Sequence, residues 1–536
     1  MIRLLFLHTF LLVAICNFCF AEFDVWPVPQ HISIIENENK ISISKNFRFV
    51  LGEEMKDLDG TTTAKSRLTR AIDRFNGIFR NMDIRPLSEN LENTLEVLEI
   101  HVEHGFQNEE YPSSKTDYHY NLMISDGVAR AYANSQYGAF YAMETFIQML
   151  SGHGDLAVSE IEISDGPQND WRGLMIDAGR RFFPVATVKN LLDVMSMVKL
   201  NVLHLHASDH CRFGVESKLY PNLTSSLAGD YAGFYTQEDI RNIIEYAADR
   251  GIRVVPEFDV PGHSRGFFPL ASEGVKFCSK DNDQLYGDPE GSTLKVISEL
   301  LKEMAGLFKD EVFNIGADET TVTGPCTLDS TFEFERKLLT KIESEFNKTP
   351  EGWEEILFTA KAATNDTVVN SWSRHTASEI VDTGRKAVES HNKWFYFTDP
   401  AGDYPQGWQP CWNDIAAGIN EDSRHLLLGG EISMWTDRYC IINQCLNTHK
   451  TPPGHSLFPP EKDAEFQISV GGMIWPRGFV AAGAFWGYDK SIDSQSQTFQ
   501  DKLWKLNDMV IERGGATCPT KCACDFLEQC GKPISG

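Results

Sequence analysis

The sequence predicts an α/β protein in which a small α+β domain precedes a (β/α)8 TIM barrel. Before residue 165, apolar and polar residues alternate with a period of two in several segments, as in strands with one buried face. After Asp165-Gly-Pro167, short apolar runs alternate with segments of helical periodicity. Regular alternation of this kind is typical of a barrel of parallel strands surrounded by helices.

Length and terminal composition indicate where these domains begin and end. The chain has 536 residues, enough for two domains. Residues 1–21 are predicted to be a secretory signal peptide, because Arg3 precedes an interrupted apolar run that ends at Ala21. We assign residues 22–165 to the α+β domain and residues 166–536 to the barrel with a cysteine-rich C-terminal tail. We therefore expect the chain in the secretory pathway, either lysosomal or secreted.

Charge and hydropathy limit the partners of the chain. A formal net charge of −27 disfavours nucleic acid and anionic membranes as partners. After the predicted signal peptide, no apolar run is long enough to span a bilayer, so we expect no membrane insertion.

Individual elements follow from the same periodicities. In the α+β domain, strands are predicted at 41–44, 95–102 and 118–124, and a helix at 139–150. In the barrel, helices are predicted from about Val185, from the capping box at Thr236 and along 294–308. The barrel strands are predicted at 173–176, 201–206, 252–255, 312–315, 356–358, 368–372, 393–397 and 426–429.

Cysteines and sequons agree with a secreted protein. Removal of the signal peptide leaves an even number of cysteines, which favours disulfides in an oxidising compartment. No histidine accompanies the four cysteines between 518 and 530, so we prefer disulfides to a metal site there. Asn222, Asn347 and Asn365 each begin an Asn-x-Thr sequon and are predicted glycosylation sites.

The adjacent acids Asp318 and Glu319 are the strongest sign of chemistry in the sequence. They follow the short apolar strand predicted at 312–315. Consecutive strand residues point to opposite faces, so such a pair is costly inside a core and useful at the open end of a strand. One carboxyl can donate a proton while the other holds a polar part of a substrate. Gly316 and Ala317 are small enough for another group to approach the backbone there.

Other predicted strands also end in polar, basic or aromatic residues. Active sites of (β/α)8 barrels lie at the carboxyl ends of the strands. Indole rings can stack on the apolar faces of sugar rings, while aspartate and arginine can bind hydroxyl groups. We therefore predict a carbohydrate pocket from these strand ends, which carry Arg180, His206, Asp209, Asp259, His263, Trp353, Trp372, Tyr396, Trp435 and Asp437.

Ordered motifs along the barrel support this prediction. They are Arg172-Gly-Leu-Met-Ile-Asp-Ala-Gly-Arg180, Lys199-Leu-Asn-Val-Leu-His-Leu-His206, Tyr235-Thr-Gln-Glu-Asp-Ile240, Pro256-Glu-Phe-Asp-Val-Pro-Gly-His263, Gly316-Ala-Asp-Glu319, Gly429-Gly-Glu-Ile-Ser-Met-Trp435 and Trp475-Pro-Arg477. Through these motifs the chain resembles the β-N-acetylhexosaminidases of glycoside hydrolase family 20, which include lysosomal hexosaminidases and chitobiases.

The resemblance implies an exo-acting, retaining glycosidase that removes terminal, non-reducing β-linked N-acetylhexosamine (GlcNAc or GalNAc). In this family the substrate's acetamido group is the nucleophile and forms an oxazolinium ion, an exception to the two-carboxylate scheme. The resemblance implies glycans ending in N-acetylhexosamine as the partner and no cofactor or metal. A homodimer is possible, because family members are commonly dimers.

The same resemblance implies the roles of three residues at the reacting centre. Glu319 would protonate the leaving oxygen and then activate water, which requires a raised pKa that a neighbouring carboxylate and partial burial can provide. Asp318 would accept the acetamido N–H. Tyr396 would donate to the acetamido oxygen, unless a slip of one position puts Phe395 there.

Further residues receive binding, supporting and structural roles from the resemblance. Trp353, Trp372 and Trp435 would wall the sugar pocket. Arg180 and Asp437 would hold ring hydroxyls. Asp209, His263, Asp259 and His206 would support the site, with His263 close to the acid. Cys278 and Cys326 match a family disulfide that brackets the catalytic strand.

The sequence departs from the family pattern at three positions. The usual motif His-x-Gly-Gly-Asp-Glu has Asn314 in place of histidine and Ala317 in place of the second glycine. After the second strand, His210 follows Asp209 where the family often has paired aspartates. These changes leave open a catalytically weakened homologue that binds glycans.

A metal-dependent amidohydrolase is the alternative from another enzyme class. His204-x-His206 on a predicted strand, together with His263 and Asp259, could hold a metal ion. That hypothesis leaves the acid pair at 318 and 319 and the tryptophans unexplained.

Overall fold

The computed structural model describes residues 24–35, 41–56, 63–82, 94–102, 110–125, 127–150, 157–158, 160–225, 233–279, 283–397, 408–436 and 463–517. These residues form a seven-stranded mixed sheet followed by a closed barrel of eight parallel strands. The predicted fold class is therefore confirmed. The predicted signal peptide, Asp437 and the four tail cysteines lie outside the described residues.

The N-terminal sheet mixes parallel and antiparallel pairs. Its strands are β1 (His31–Ile35), β2 (Ile41–Leu51), β3 (Thr94–Val102), β4 (Tyr120–Ser125), β5 (Val128–Ala133), β6 (Ala157–Val158) and β7 (Glu160–Asp165). They lie in the order β1-β7-β4-β5-β3-β2-β6. Helices Thr63–Asn81 and Gln136–Leu150 pack on the sheet, and a short helix spans Glu53–Lys56. The alternation that predicts β3 and β4 corresponds to one buried and one more exposed face.

The barrel closes because its last strand pairs with its first. Its strands are β8 (Trp171–Asp177), β9 (Val202–Ser208), β10 (Arg253–Phe258), β11 (Val312–Asn314), β12 (Thr349–Trp353), β13 (Val368–Ser371), β14 (Lys386–Glu389) and β15 (Leu427–Met434). Every neighbouring pair is parallel, including β15 with β8. All carboxyl ends therefore meet at one mouth.

Two of the eight strand predictions are wrong. The segment predicted at 356–358 lies in the short helix Glu355–Phe358, and the fifth strand is β12. The segment predicted at 393–397 overlaps the helix Asn392–Phe395, and the seventh strand is β14. Both mispredicted segments are apolar because they pack in the main core outside the strands, whereas β12 carries a proline, a glycine and a buried glutamate.

Helices surround the barrel, as the alternation predicts. Thr236 and Asp239 form the predicted capping box, with the Thr236 side chain accepting from the Asp239 N–H at 3.0 Å. Among the described residues, none of the helices combines the length and the apolarity needed to cross a membrane. The α-helices are Val185–Met197, Asn222–Ser225, Gln237–Ala248, Ser292–Leu307, Leu328–Glu345, Glu355–Phe358, Ala377–Asp382, Asn392–Phe395, Asp463–Ile474, Arg477–Gly487 and Gln497–Glu512; 3₁₀-helices span Ser264–Glu273, Gln409–Cys411 and Glu421–Leu426.

The barrel interior is layered. A valine-rich layer with Trp171 fills the amino-terminal end. Above it lie buried charged side chains, in which His204 is 2.8 Å from a Glu431 oxygen and 3.0 Å from a Glu257 oxygen. Burial opposes the charge on His204, but the two carboxylates outweigh it and raise its pKa to about 10. Buried charges persist only when they are paired, so this layer favours a fixed arrangement of the strands.

A buried ion pair joins the N-terminal sheet to the barrel. The Lys199 ammonium lies 3.0 Å from a carboxylate oxygen of Asp165, and both side chains are fully buried. Asp165 also accepts a hydrogen bond from the Trp486 indole at 2.9 Å. Lys199 lies 4.5 Å from the centre of the Trp486 ring. Trp486 is part of the core of the N-terminal domain, although it belongs to a barrel helix.

The described cysteines include both disulfide-bonded residues and a free thiol, and the asparagines of the three sequons lie at the surface. Cys278 and Cys326 form a disulfide with Cα atoms 5.3 Å apart, and Cys211 is also disulfide-bonded. Cys411 is a buried free thiol, so pairing does not extend to every cysteine after the signal peptide. Asn222, Asn347 and Asn365 are all exposed. Their glycosylation remains a prediction.

Replacing Lys199 with methionine should destabilise the fold strongly. The change leaves the Asp165 carboxylate buried without its ammonium partner, and breaking one side of a buried pair costs about 3–5 kcal/mol. The free energy of unfolding, measured by urea denaturation, should fall by that amount. Lys505→Met is the matched control, because it removes an ion pair with Asp24 whose lysine is 60% exposed. Its loss should stay below about 1 kcal/mol; equal losses in both variants would contradict the role of burial.

Candidate active site

The turn that follows β11 has an unusual backbone. The angle φ is positive at Gly316 (65°), Ala317 (67°) and Glu319 (49°). For residues other than glycine this conformation costs roughly 1–2 kcal/mol, so surrounding contacts must hold it. Asn314 Oδ1 accepts from the Gly316 N–H at 2.8 Å, and Asp259 Oδ1 accepts from the Ala317 N–H at 3.2 Å. A Cβ atom on Gly316 would lie 2.2 Å from Asp259 Oδ1, so the close approach expected from the sequence does occur.

This turn buries Asp318 next to a second carboxylate. The Asp318 side chain is 12% exposed, and no described residue hydrogen-bonds to its Oδ1. Burial raises the pKa of Asp318, an effect that His263 opposes and Glu257 reinforces. Burial and the charge of Asp318 also raise the pKa of Asp259 well above its usual range. An N–H donor supplied by a ligand would therefore stabilise an ionised Asp318.

Glu319 points out of the same turn towards solvent. Its side chain is 58% exposed, and its Oε2 lies 3.2 Å from Nε2 of His263. The hydrogen bond from His263 lowers the pKa of Glu319, although partial burial opposes it. The expectation of a raised pKa is therefore wrong for this structure, because His263 outweighs burial and the neighbouring carboxylates.

Asp209 connects His263 to the rest of the mouth. Its Oδ2 lies 3.0 Å from the Arg180 guanidinium and 2.9 Å from Nε2 of His206, and its Oδ1 lies 3.5 Å from Nδ1 of His263. Burial disfavours ionisation of Asp209, but Arg180 and His263 outweigh burial and hold its pKa well below the usual range. The same carboxylate keeps the pKa of His263 raised against the effect of its own burial.

A cluster of aromatic rings also lies at the mouth. Trp353 lies 5.8 Å from Trp435, and Tyr396 lies 6.1 Å from both Trp435 and Trp372, measured between ring centres. Tyr396 and Trp372 are nearly parallel, with 14° between their planes. Phe395 instead packs against Phe485, 4.9 Å away, outside this group of rings. The geometry therefore favours Tyr396 over Phe395 as the residue that faces the pocket.

Two carboxylates, the buried Glu257 and the partly buried Glu355, orient these rings, and neither is among the predicted site residues. Glu257 accepts a hydrogen bond from the Trp353 indole N–H at 2.9 Å, and Glu355 accepts one from the Trp372 indole N–H at 2.9 Å. Burial and the charge of Asp318 raise the pKa of Glu355 to about 8. The only available signal for Glu355 is its position two residues after Trp353, at the end of a strand that the sequence did not predict.

Both histidines of the His-x-His pair on β9 contact carboxylates below the mouth. Nδ1 and Nε2 of His204 lie 2.8 and 3.0 Å from carboxylate oxygens. Nδ1 of His206 lies 2.6 Å from Glu257, and its Nε2 lies 2.9 Å from Asp209. All four ring nitrogens therefore already face carboxylates within the polar layer. This arrangement gives the pair a structural role and does not favour the amidohydrolase hypothesis.

The structure brings nearly all the predicted site residues to one end of the barrel. The group described above at the mouth comprises Asp318, Glu319, Arg180, Asp209, His263, Asp259, Trp353, Trp372, Tyr396 and Trp435, with His206 beneath it. Asp437 lies outside the described residues, directly after Thr436, whose N–H donates to Asp177 at 3.1 Å. The arrangement can supply a carboxyl that is half-exposed, a buried acceptor and an aromatic wall to one small ligand.

Comparison with protein families agrees with this geometry. The model of the glycosyl hydrolase family 20 catalytic domain matches residues 169–439, about half of the chain. The chain belongs to glycosyl hydrolase family 20. A model described as "beta-acetyl hexosaminidase like" matches residues 25–149, which contain most of the N-terminal sheet. The resemblance noted in the sequence is therefore confirmed, and the chain is placed among glycoside hydrolases.

Similar curated proteins carry hexosaminidase names. Beta-hexosaminidase subunit A1 of Dictyostelium discoideum is 30% identical over 355 residues, which are 61% of this chain and 66% of that protein. The subunit beta of Mus musculus is 30% identical over 358 residues, with the same two shares. Beta-hexosaminidase 3 of Arabidopsis thaliana is 26% identical over 534 residues, 92% of this chain and 90% of that protein. The chain thus spans just under two thirds of the first two.

Solved structures share the fold. The chitobiase of Flavobacterium johnsoniae superposes with a TM-score of 0.68 at 25% identity, covering 92% of this chain and 73% of that one. The exo beta-N-acetylglucosaminidase of Vibrio harveyi, solved with N-acetylglucosamine, gives a TM-score of 0.68 at 22% identity, covering 93% and 78%. At this second identity the likeness shows the shared fold alone.

Glu355 should make the fold less stable as pH rises. Its pKa is about 8 in the folded protein, so between the usual glutamate pKa and that value the folded state keeps a proton that the unfolded chain loses. The Glu355→Gln variant does not titrate at this position, so it should not lose stability in this way. The difference in free energy of unfolding, variant minus wild type, should grow between about pH 5 and about pH 8 by more than about 1 kcal/mol, roughly one pKa unit.

Urea denaturation at both pH values measures this difference. Glu333→Gln is the control, because Glu333 is exposed and its ion pair with Lys337 lowers its pKa, so no gain at the higher pH is expected. A difference between wild type and Glu355→Gln that stays constant with pH would show that Glu355 ionises normally.

Proposed function

We propose that the protein is an exo-acting, retaining glycosidase that removes terminal, non-reducing β-linked N-acetylhexosamine by substrate-assisted catalysis. Membership of glycosyl hydrolase family 20 and the hexosaminidase names of its relatives support the reaction class. The arrangement of Asp318 and Glu319 supports the mechanism.

One observation carries this proposal. Asp318 is buried and its Oδ1 has no partner among the described residues, while Glu319, its neighbour in sequence, reaches solvent. A buried carboxylate oxygen without a donor is costly, so a ligand that brings an N–H group to this point is favoured. The acetamido N–H of an N-acetylhexosamine is such a donor. Its carbonyl oxygen can then be turned towards the anomeric carbon.

In the first step, the acetamido carbonyl oxygen attacks the anomeric carbon and the glycosidic C–O bond breaks. Glu319 gives its proton to the leaving oxygen. The product is an oxazolinium ion, whose N–H and positive charge Asp318 stabilises. A glycan would cover Glu319, and this desolvation opposes the lowering effect of His263, so that the carboxyl can be protonated when substrate is bound.

In the second step, the Glu319 carboxylate takes a proton from water as the water attacks the anomeric carbon. The oxazolinium ring opens and the acetamido group is restored. Two successive inversions at the anomeric carbon leave the β configuration unchanged. His263 and Asp209 position Glu319 in both steps, through the contacts of 3.2 and 3.5 Å.

The pocket walls supply binding and orientation. Trp353, Trp372 and Trp435 would contact the apolar faces of the sugar ring and its acetamido methyl group. Tyr396 would donate to the acetamido oxygen. Arg180, anchored by Asp177 and Asp209 at 3.0 Å each, would bind ring hydroxyls together with Asp437. A wall of rings around a single sugar suits the terminal sugar of a glycan, and this favours exo action.

The setting of the enzyme belongs to the same proposal. We propose a location in the secretory pathway, lysosomal or secreted, because of the predicted signal peptide and the hexosaminidase relatives. The partners would be glycans that end in N-acetylhexosamine. Assembly into a homodimer is a further expectation from the family.

Glu319→Gln should remove general acid catalysis while the fold survives. For an N-acetyl-β-glucosaminide with a poor leaving group, kcat/KM should fall by about 100- to 10,000-fold, the usual contribution of a positioned acid. A substrate whose leaving group needs no protonation should lose less. Initial rates with both substrates measure the effect, and an unchanged melting temperature shows that the variant is folded. Near-normal hydrolysis of the poor substrate would refute the mechanism.

Tyr396→Phe should slow hydrolysis by roughly 10- to 100-fold, somewhat less than the loss of an oxyanion-hole donor. The reason is that the acetamido oxygen would lose the group that aims it at the anomeric carbon. Tyr246→Phe is the control, because it removes a hydroxyl that is 2.9 Å from Asp193 on the outside of the barrel. An undiminished kcat in Tyr396→Phe would mean that another residue orients the acetamido group.

A further inference from the structure

Three potential ligand atoms meet at the barrel mouth. Nδ1 of His263 lies 3.5 Å from Oδ1 of Asp209, and Nδ1 of His210 contacts the same oxygen. The two imidazole rings are 6.2 Å apart between their centres. One ligand atom from each residue lies within 4.8 Å of the other two. Asp209 and His263 position Glu319 in the proposed reaction, but His210 has no part in it, so the place of His210 beside Asp209 is not explained by the hydrolysis.

The donor set suits a transition metal. Zn²⁺ binds imidazole nitrogen and carboxylate oxygen at about 2.0–2.2 Å in a tetrahedral arrangement, and three protein ligands leave one position open. Ligands around such an ion are therefore about 3.4 Å apart. The separation of 3.5 Å between His263 Nδ1 and Asp209 Oδ1 is close to this value. That nitrogen is buried and makes no good hydrogen bond.

Exposure and charge allow an ion to reach the group. The side chains of His210 and His263 are 27% and 14% exposed, whereas Asp209 is fully buried and oriented by its neighbours. Asp318 lies 3.8 Å from the other nitrogen of His263 and adds negative charge. The formal net charge of −27 also favours a dication over an anion as a ligand of the chain as a whole.

Two features oppose a tightly held metal. Arg180 already lies 3.0 Å from Oδ2 of Asp209, so a cation at Oδ1 would be repelled by its guanidinium. The carboxylates that raise the pKa of His263 also favour its protonated form, and a metal ion must displace that proton in order to bind. Both features favour a weak, reversible site over a resident cofactor.

We propose that His210, His263 and Asp209 form a reversible binding site for a divalent transition metal, best matched by Zn²⁺. His210 supplies the ligand that has no part in the proposed hydrolysis. Binding would draw Asp209 and His263 towards the ion, and Arg180 and Glu319, which these residues hold, would lose their positions. Zn²⁺ would then inhibit the hydrolase; this second statement rests on the proposed function, whereas the binding itself does not.

Calorimetric titration of the full mature chain with ZnCl₂ tests the binding. One saturable site is expected in the wild type. His210→Asn should weaken its Kd by at least about 10-fold, the smallest effect usually seen when the surroundings of a metal ligand are altered. His119→Asn is the matched control, because His119 is exposed and also places Nδ1 2.8 Å from an aspartate oxygen, but on the N-terminal domain. Its Kd should equal that of the wild type.

Spectroscopy and kinetics complete the test. Co²⁺ bound to the wild type should give the visible absorption of a tetrahedral site, and His210→Asn should lose that absorption. Zn²⁺ should inhibit hydrolysis of an aryl N-acetyl-β-glucosaminide by the wild type, with recovery on adding EDTA, and inhibition of His210→Asn should need at least about 10-fold more Zn²⁺. His210→Gln replaces His210→Asn if the latter has a lowered melting temperature.

The outcomes separate the two proposals. Absence of a saturable Zn²⁺ site in the wild type, or an equal Kd in the wild type and His210→Asn, would overturn the metal site. Binding that depends on His210 without any inhibition would overturn the regulatory statement. A wild type that hydrolyses no N-acetylhexosaminide would refute the proposed function, while calorimetry and the Co²⁺ spectrum would still decide the metal site.

Discussion

The backbone of the turn between Gly316 and Glu319 is the constraint on which the candidate site depends. Three of its four residues have positive φ, and this geometry sends Asp318 into the barrel mouth and Glu319 towards solvent. Asp259 holds the turn by accepting from Ala317 and occupies the space beside Gly316 that a side chain would fill. The chain keeps this conformation although Ala317 carries a side chain. Two adjacent carboxyls thereby receive different environments and can perform different tasks.

The interior of the barrel explains how the pocket walls keep their orientation. Along the barrel axis, the valine layer is followed by a layer of buried charged side chains that includes His204, Glu257 and Glu431, and then by the aromatic mouth. Within this layer, Glu257 accepts a hydrogen bond from the indole N–H of Trp353. It also contacts the rings of both β9 histidines, His204 and His206. Burying these charges is costly, and their mutual pairing is what makes the layer tolerable. The same pairing fixes the floor of the pocket.

Much of the fold was predictable because periodicity records burial. Strands β3 and β4 alternate visibly since one face is buried, and the capping box at Thr236 marks a helix start through local hydrogen bonds alone. β12 and β14 were missed because a strand inside a barrel is selected by neighbours distant in sequence. The apolar residues that misled the prediction belong to the core outside the strands, which a single sequence does not distinguish from strand residues.

The residues of the site were largely predictable from the sequence, whereas their pKa values were not. Motif resemblance named the acids and aromatic residues that the barrel brings together, and the geometry separates Tyr396 from Phe395. The lowered pKa of Glu319 was missed, because it depends on a contact with His263 made across the mouth. The role of Glu355 was not predictable for a similar reason, since its raised pKa depends on burial and on the charge of Asp318 nearby.

The central claim is that the substrate's own acetamido group, held by Asp318, displaces the leaving group. Its most direct test compares the hydrolysis rates of an aryl N-acetyl-β-glucosaminide, the N-acetyl-β-galactosaminide and the unacetylated β-glucoside. The glucoside lacks the positioned nucleophile, so its kcat/KM should be lower by at least about 1,000-fold. Cleavage of the glucoside at a rate comparable with that of the acetylated sugars would contradict participation by the acetamido group.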